Sequence, residues 1–370
     1  MVTSRKTTYS ERSDKINKNI GKISSSDIKA IYTPLIKGKA VSLNVALRKI
    51  ESICDLSKGI HIDGLGCDMD AMNEIFLFAE KNKASIDHMH ADNVSRFYSI
   101  FQRIGGNIVS FGEVKKRSDY LLLIGLEKSS FETDFIKELF SKKKINSKHR
   151  KIQIFDDLVK KSKYSFNEGI FLLHNLIKSK SKISEHKFES IIQNINESNY
   201  GTLIFQSSKF ENSVTQEIIE LVKTLCQKKK FNFLNFSGRG NLAGAIQTSL
   251  WKTGFPLKIE YTKNGPIYNP LEFGSKYFLK LKELQIYISC FEKNPNINFF
   301  KYNIFIGHPK TRNKNKFDIF IPTSIPGIDQ KGLVLRGDGV CVEKLKKIKD
   351  SKLFLFLLHI HKLLQMLQIP

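Results

Sequence analysis

The sequence predicts an α/β fold of two interleaved, Rossmann-like doubly wound units. Three observations lead there. Short apolar runs end in glycine or aspartate, amphipathic helical stripes separate them, and the same alternation begins again near residue 200. At 370 residues with 41% hydrophobic content, the chain is long enough for one large domain or two medium ones.

The elements follow in order. Residues 1–40 are polar, punctuated by Ser24-Ser25-Ser26, and read as a tail or an arm lying on a partner. In 41–57, Leu43, Val45, Ala46, Ile50 and Ile53 share one helical face. Ile60–Ile62 is an apolar run closed by Gly64-Leu65-Gly66, where a strand ends and the backbone turns sharply. Asp68 and Asp70 suit a helix start, and Met72, Ile75, Phe76 and Ala79 recur at three and four. A second strand over Ala84–Ile86 ends in Asp87. Val94, Phe97, Tyr98, Phe101 and Ile104 form the next stripe, stopped by Gly105-Gly106. Tyr120–Ile124 is nearly all apolar, as buried parallel strands are, and completes a βαβαβ half over 41–126.

Residues 126–198 are rich in Lys, Ser and Asn, carry the helical stripe Gly169 to Ile177, and read as a peripheral insertion between two halves. Gly201–Phe205 starts a second sheet unit, followed by a helix over Gln216–Cys226 and a strand over Phe231–Phe236. The inserted α/β unit is thereby placed at 127–240. Residues 241–370 return to the first unit, with strands at Leu284–Ser289, Tyr302–Ile306 and Phe317–Ile321 and a carboxy-terminal helix.

Composition narrows the function classes. Five scattered cysteines without CxxC or CxxH spacing point to reduced thiols in a cytoplasmic protein, not a disulfide framework or zinc site. The amino terminus has no apolar signal segment, and no run reaches the about 18 uncharged apolar residues of a membrane span. The carboxy-terminal run LFLFLLHIHKLLQMLQI comes nearest, and His359, His361 and Lys362 interrupt it. A net charge of +24 fits nucleic-acid binding, a lysine-rich surface, or charge facing acidic partner subunits. The lysines spread from Lys6 to Lys362 without one arginine-rich face, which disfavours nucleic acid. Clusters such as Lys142-Lys143-Lys144 and Lys228-Lys229-Lys230 fall near helix ends, where positive charge suits the dipole.

Several groups could carry chemistry. His88 and His90 with Asp87 and Asp92 could hold a metal or act as a base. No third and fourth ligand is obliged to be near, so a hydrogen-bonded loop is the expectation. Gly64-x-Gly66 with Asp87 about 20 residues on imitates a dinucleotide fingerprint, without its third glycine. Ser237-Gly238-Arg239-Gly240-Asn241 could cradle an anion on backbone N–H groups or be a tight turn, and the turn is preferred. Trp251, with Thr253, Gly254, Phe255 and Pro256, is expected as a packed core corner. Arg336, with Asp329 and Asp338, is expected to fix a loop or a subunit contact. No Gly-x-Ser-x-Gly is present, and no cysteine has a nucleophile-like setting.

Four blocks in order resemble one family. GLGCD at 64–68 with FGEVKKRSDYLLLIG at 111–125, AGAIQTSLWKTGFP at 243–256, GPIYNPLEF at 265–273 and IPTSIPGIDQKGLVLRGDGV at 321–340 are similar to the B subunit of formylmethanofuran dehydrogenase. More closely they resemble the B subunit of the bacterial formyltransferase/hydrolase complex, both of the molybdopterin oxidoreductase fold family. That resemblance implies the fold of those oxidoreductases without their iron–sulfur domain. Counting from Asp87, the positions where redox relatives carry Cys-His-Gly-Pro hold Asn93, Val94, Ser95 and Arg96. Asparagine is no thiolate and valine moves no proton. The amino-terminal cysteine cluster is reduced to Cys54 alone.

The resemblance therefore implies a non-catalytic scaffold subunit, binding no metal and no cofactor. Its complex would move a formyl group from a tetrahydromethanopterin carrier to a methanofuran-type carrier and release formate. Its partners would be a hydrolase, a formyltransferase and a small subunit. The candidates for a vestigial pterin pocket are Asp87, His88, His90, Asn93, Gly238, Gly240, Asn241, Trp251, Lys252, Asp329, Arg336 and Asp338. The rival expectations are an active molybdenum- or tungsten-pterin oxidoreductase and a basic nucleic-acid-binding protein.

Overall fold

Apolar runs and helical stripes fold into two sheets, each with a parallel centre. The computed structural model describes residues 32–126, 144–145, 148–179, 186–235, 238–294, 296–348 and 365. Residues 1–31 of the expected tail and nearly all of the expected carboxy-terminal helix lie outside the described residues.

The chain opens with β1 (Leu35–Ile36), β2 (Lys39–Ala40) and helix α1 (Leu43–Leu56). Next come β3 (Ile60–Gly66), α2 (Met69–Lys81), β4 (Ser85–Ile86), α3 (Asp92–Ile104) and α4 (Phe111–Arg117). The middle runs through β5 (Tyr120–Ile124), the small hairpin β6 (Lys144–Ile145) with β7 (Lys148–His149), β8 (Lys151–Ile154), α5 (Phe155–Val159), α6 (Phe166–Ser179) and α7 (His186–Glu197). It continues with β9 (Gly201–Phe205), α8 (Asn212–Cys226) and β10 (Phe231–Asn235). The last third holds α9 (Leu242–Thr253), β11 (Ile259–Thr262), β12 (Gly265–Tyr268), α10 (Ser275–Phe278), β13 (Leu284–Ser289) and β14 (Tyr302–Gly307). It ends with β15 (Ile319–Pro322) and the hairpin β16 (Gly332–Leu335) with β17 (Val342–Leu345).

The first sheet has nine strands in the order β12-β11-β4-β3-β13-β14-β15-β1-β2. Its five central strands are parallel, and an antiparallel pair flanks each side. The chain moves outward from β3 to β4 and later returns on the other side at β13, so the switch point lies between β3 and β13. A ligand crevice is expected beyond the strand C-termini there. The second sheet is all parallel, β10-β9-β5-β8, with its own reversal between β5 and β9.

Both faces of the first sheet are covered, which is what parallel strands require. On one face Ile60, Ile62, Ile286, Ile288, Ile304 and Ile306 pack against Ala46 and Ile50 of α1 and Met72, Ile75 and Phe76 of α2. Each such side chain, fully removed from water, contributes about 1.5–3 kcal/mol. The alternate residues on the opposite face are His61, Asp63, Gln285, Tyr287, Asn303 and Phe305, all buried. Polar groups thus sit inside the fold by strand periodicity.

The structure corrects several expectations. Tyr120–Ile124 does not complete the first sheet: it pairs with β8 and β9 at the centre of the second. An all-apolar strand says that it is buried and not between which neighbours. Helix α3 likewise turns Phe97 and Ile100 onto the second core, where Phe97 meets Phe205 and Phe233. Residues 151–179 and 186–197 are no peripheral insertion. Phe155, Ile170, Leu173, Phe188 and Ile191 are buried in that same core. Strand β3 runs on through Gly66 because Gly64 (φ +90°) and Leu65 (φ +50°) form an irregularity opposite Tyr287 and Ser289. A side chain at Gly64 would meet the Ile288 carbonyl at 2.4 Å, so the position needs glycine. Val45, expected on the apolar face of α1, is 49% exposed.

Candidate functional site

The first switch point brings together the ends of β3, β4 and β13 and the turn after β10. Asp68 caps α2 by accepting from Ala71 N at 3.3 Å, which leads the chain away from β3. After β4, Asp87 accepts the His88 N–H at 2.8 Å and shapes the loop that follows. His88 Nδ1 then accepts the His90 N–H at 3.0 Å, so Nε2 carries the proton and donates to Gly240 O at 3.3 Å. Both ring nitrogens are used, and burial of the ring lowers its pKa to about 3 against the opposing bond to Gly240 O. His90 turns outward and pairs through Nε2 with Glu292 Oε1 at 2.6 Å, which holds that carboxyl below the usual range. The loop after β4 is thereby tied to the end of β13.

The crevice itself is filled by Met89. A Cβ placed on Gly66 would come within 2.5 Å of its terminal methyl, and one on Gly240 within 2.7 Å. Both glycines lie against the methyl end of that side chain. Asn241 locks the turn from the other side in a left-handed conformation (φ +61°). Its amide donates to Cys67 O at 3.0 Å and accepts from Leu335 N at 3.1 Å.

Behind the loop lies a polar network, buried except at Asp92. Lys258, 4% exposed, donates to Asp92 Oδ1 at 2.5 Å and to Phe273 O at 3.0 Å, with Asp87 Oδ2 at 3.9 Å. Burial alone would lower the ammonium's pKa, but Asp87, Asp92 and Asp63 around it hold it above the ordinary lysine value. Burial pushes the Asp87 and Asp63 carboxyls up. Ser275 joins Asp63, to which its hydroxyl donates, with His61 Nε2 at 3.2 Å. His61 Nδ1 meets Ser85 Oγ at 2.9 Å, and the ring stacks between Phe278 and Phe300. Its burial lowers the imidazole to about 3, so it is neutral. Sequence reading missed His61, Asp63, Ser275 and Lys258. Lys258 follows the block GFPL, but nothing in its neighbours marks it as buried.

The other candidates are scattered. Trp251 is not a core corner: it is 65% exposed on the last turn of α9, beside Lys252. Thr253 and Phe255 form the corner without it, Phe255 stacking on Tyr268 at 5.2 Å. Asn93 lies on α3, and Gly238 borders residues outside the description. Asp329 closes a turn by accepting from Ile325 N at 3.0 Å. Arg336 pairs bidentately with Asp338, which also accepts the Phe111 N–H at 2.8 Å, so this pair fastens the β16–β17 hairpin to α4.

These residues do not fit a metallopterin centre. The carboxylates nearest the loop face an ammonium, and burial pushes the thiols of Cys67 and Cys290 up, away from thiolate. What the site does chemically is hold the loop after β4 shut. A cavity of about 730 Å³ opens beside it, lined by Asp92, Arg96, Glu211, Ser213 and Lys258.

No family model matches the chain. Over 141 residues it is 27% identical to the B subunit of the tungsten-containing formylmethanofuran dehydrogenase 2 of Methanocaldococcus jannaschii, covering 36% of this chain and 32% of that one. Over 162 residues it is 26% identical to the protein of the same description in Methanococcus maripaludis, covering 40% and 37%. The chain is similar in sequence to the B subunit of formylmethanofuran dehydrogenase. It spans about a third of the length of these curated relatives. Its fold matches a chain in the crystal structure of the formyltransferase/hydrolase complex of Methylorubrum extorquens with methylofuran. There the TM-score is 0.74 at 14% identity, over 90% of this chain and 99% of that one. The sequence matches support the resemblance to the B subunit, and the structural match supports the α/β fold.

Proposed function

We propose that this chain is a structural, non-catalytic subunit of a formyltransferase/hydrolase complex. In that reading it belongs to an assembly that takes a formyl group from a tetrahydromethanopterin carrier to formate, with the chemistry on companion subunits. The structural match over 99% of a chain from such a complex supports the assembly. The observation that carries the non-catalytic half is Met89, wedged between Gly66 and Gly240 at the switch point where this kind of sheet binds ligands. His88 is neutral with both ring nitrogens bonded, Lys258 is held by Asp92, and His90 by Glu292. In this role the chain binds no pterin, molybdenum or tungsten.

Native mass spectrometry of the protein purified gently from its source, with metal analysis of the same sample, tests this. Stoichiometric hydrolase and formyltransferase companions without molybdenum or tungsten are the expected result. A metal-bearing chain would revive the redox enzyme, and a lone chain carrying nucleic acid would sink the assembly.

A further inference from the structure

We propose that the groove between the β16–β17 hairpin and the first turn of α2 docks an acidic, partly apolar segment of a protein partner. The proposal extends the structural-subunit reading, which supplies the partner. The groove holds about 760 Å³, with Leu333 and Leu345 on its floor and Lys331, Lys344 and Lys346 around its rim. Asp70 is the one acidic residue among its lining. None of those three lysines has a carboxylate partner among the described residues, although other lysines do, as in Lys151–Glu197 and Lys301–Glu283.

The hairpin is held in place for the purpose. Its turn is fastened to α4 through Asp338, its first strand to Asn241 through Leu335 N, and its exit to Ile328 O through Ile348 N at 3.2 Å. A surface fixed at three points costs little ordering entropy on binding. At the groove floor, Gly332 packs so closely on the α2 cap that a Cβ there would sit 2.9 Å from Asp68 Oδ2. Val342, 47% exposed, and Ile348, 59% exposed, extend the apolar surface beyond the rim.

The chemistry of the lining selects the partner. Lysines around an apolar floor complement carboxylates that alternate with aliphatic side chains. Nucleic acid asks for something else: aromatic faces or guanidinium groups that stack on bases and fork onto phosphates. The groove lining contains no aromatic residue and no arginine.

The test uses the full chain and a fluorescein-labelled synthetic peptide of Glu and Leu, read by anisotropy. The expected result is saturable binding that weakens about tenfold or more in K344E/K346E, as for close charge pairs. The variant K160E/K161E, which changes net charge equally at a distant exposed site, is expected to bind as the wild type does. Equal weakening in both variants, or no weakening in either, would overturn the groove. So would displacement of the peptide by a single-stranded oligonucleotide at lower concentration than by unlabelled peptide. The structural-subunit reading fails separately, on the native mass spectrum, so peptide binding by a chain without companions would leave the groove standing alone.

Discussion

His88 shows how a residue that looks catalytic becomes structural. Its imidazole is oriented from both sides by backbone groups, buried, and held neutral with a pKa of about 3. In the unfolded chain the same ring takes a proton near 6.5. The folded state is therefore favoured above that value and loses stability as pH falls from about 6.5 toward 3, because only the unfolded chain binds the proton. His61, lowered to about 3, and His308, lowered to about 4, act in the same direction. Asp68, raised by burial to about 6, acts against them, since the folded state takes up that proton first. Comparison with His88→Gln cancels the other groups. Urea midpoints at pH 7 and pH 4.5 are expected to show the wild type losing up to about 1.4 kcal/mol per pH unit more than the variant. Parallel losses would mean that His88 protonates in the folded protein. The same burial is unkind to Tyr287, whose hydroxyl has no partner among the described residues and whose pKa is driven up. The sheet face that holds these groups is polar by strand alternation, and it is stabilised by pairing where pairing is possible.

At the scale of elements, the turns after β3 and β10 and the β16–β17 hairpin meet on one amide. Asn241 bonds Cys67 O and Leu335 N while holding a left-handed backbone that asparagine tolerates better than most residues. Asn241→Ala is expected to destabilise by about 2–4 kcal/mol, from two lost hydrogen bonds and a left-handed Cβ. Asn241→Gly, which relieves the second cost, should fall between alanine and wild type in chemical denaturation. If alanine and glycine were equal, the backbone strain would play no part. Which of these elements could be read in the sequence follows from their physics. The stripe Met72, Ile75, Phe76 and Ala79 carries its period in its own residues, and α2 was legible to within a turn. Strand β5 was legible as a strand but not as a member of the second sheet, because pairing partners leave no mark on an apolar run. In the site, the histidine loop announced itself through its cluster of polar residues. His61, Asp63 and Lys258 did not, since each sits among aliphatic neighbours and is polar only toward the buried face. Trp251 misled because size and apolarity argue for burial in general, whereas position on the last turn of α9 decides it here.

For the whole molecule, the excess of positive charge sorts into lysines with local tasks and lysines without. Lys223 donates to Ile104 O at the end of α3, Lys228 to Ile177 O near the end of α6, and Lys229 to Ile195 O at 3.0 Å in the last turn of α7. Three neighbouring ammonium groups thus serve the C-termini of three different helices, where the macrodipole favours them. Such lysines form no nucleic-acid footprint. Others, including Lys331, Lys344 and Lys346, stand exposed on a chain of net charge +24. Mutual repulsion among them opposes the compact state of the isolated chain, and salt screens it over a Debye length of about 10 Å at 0.1 M. The thermal midpoint of the isolated chain is therefore expected to rise as sodium chloride increases from roughly 10 mM to 200 mM. The few exposed pairs, such as Lys151–Glu197 at 2.6 Å, are each worth no more than about 1 kcal/mol and pull the other way. A falling midpoint would show that those pairs outweigh the repulsion. Acidic companions would remove the same repulsion by neutralising it, so the gain from salt should shrink once the chain is in its native assembly.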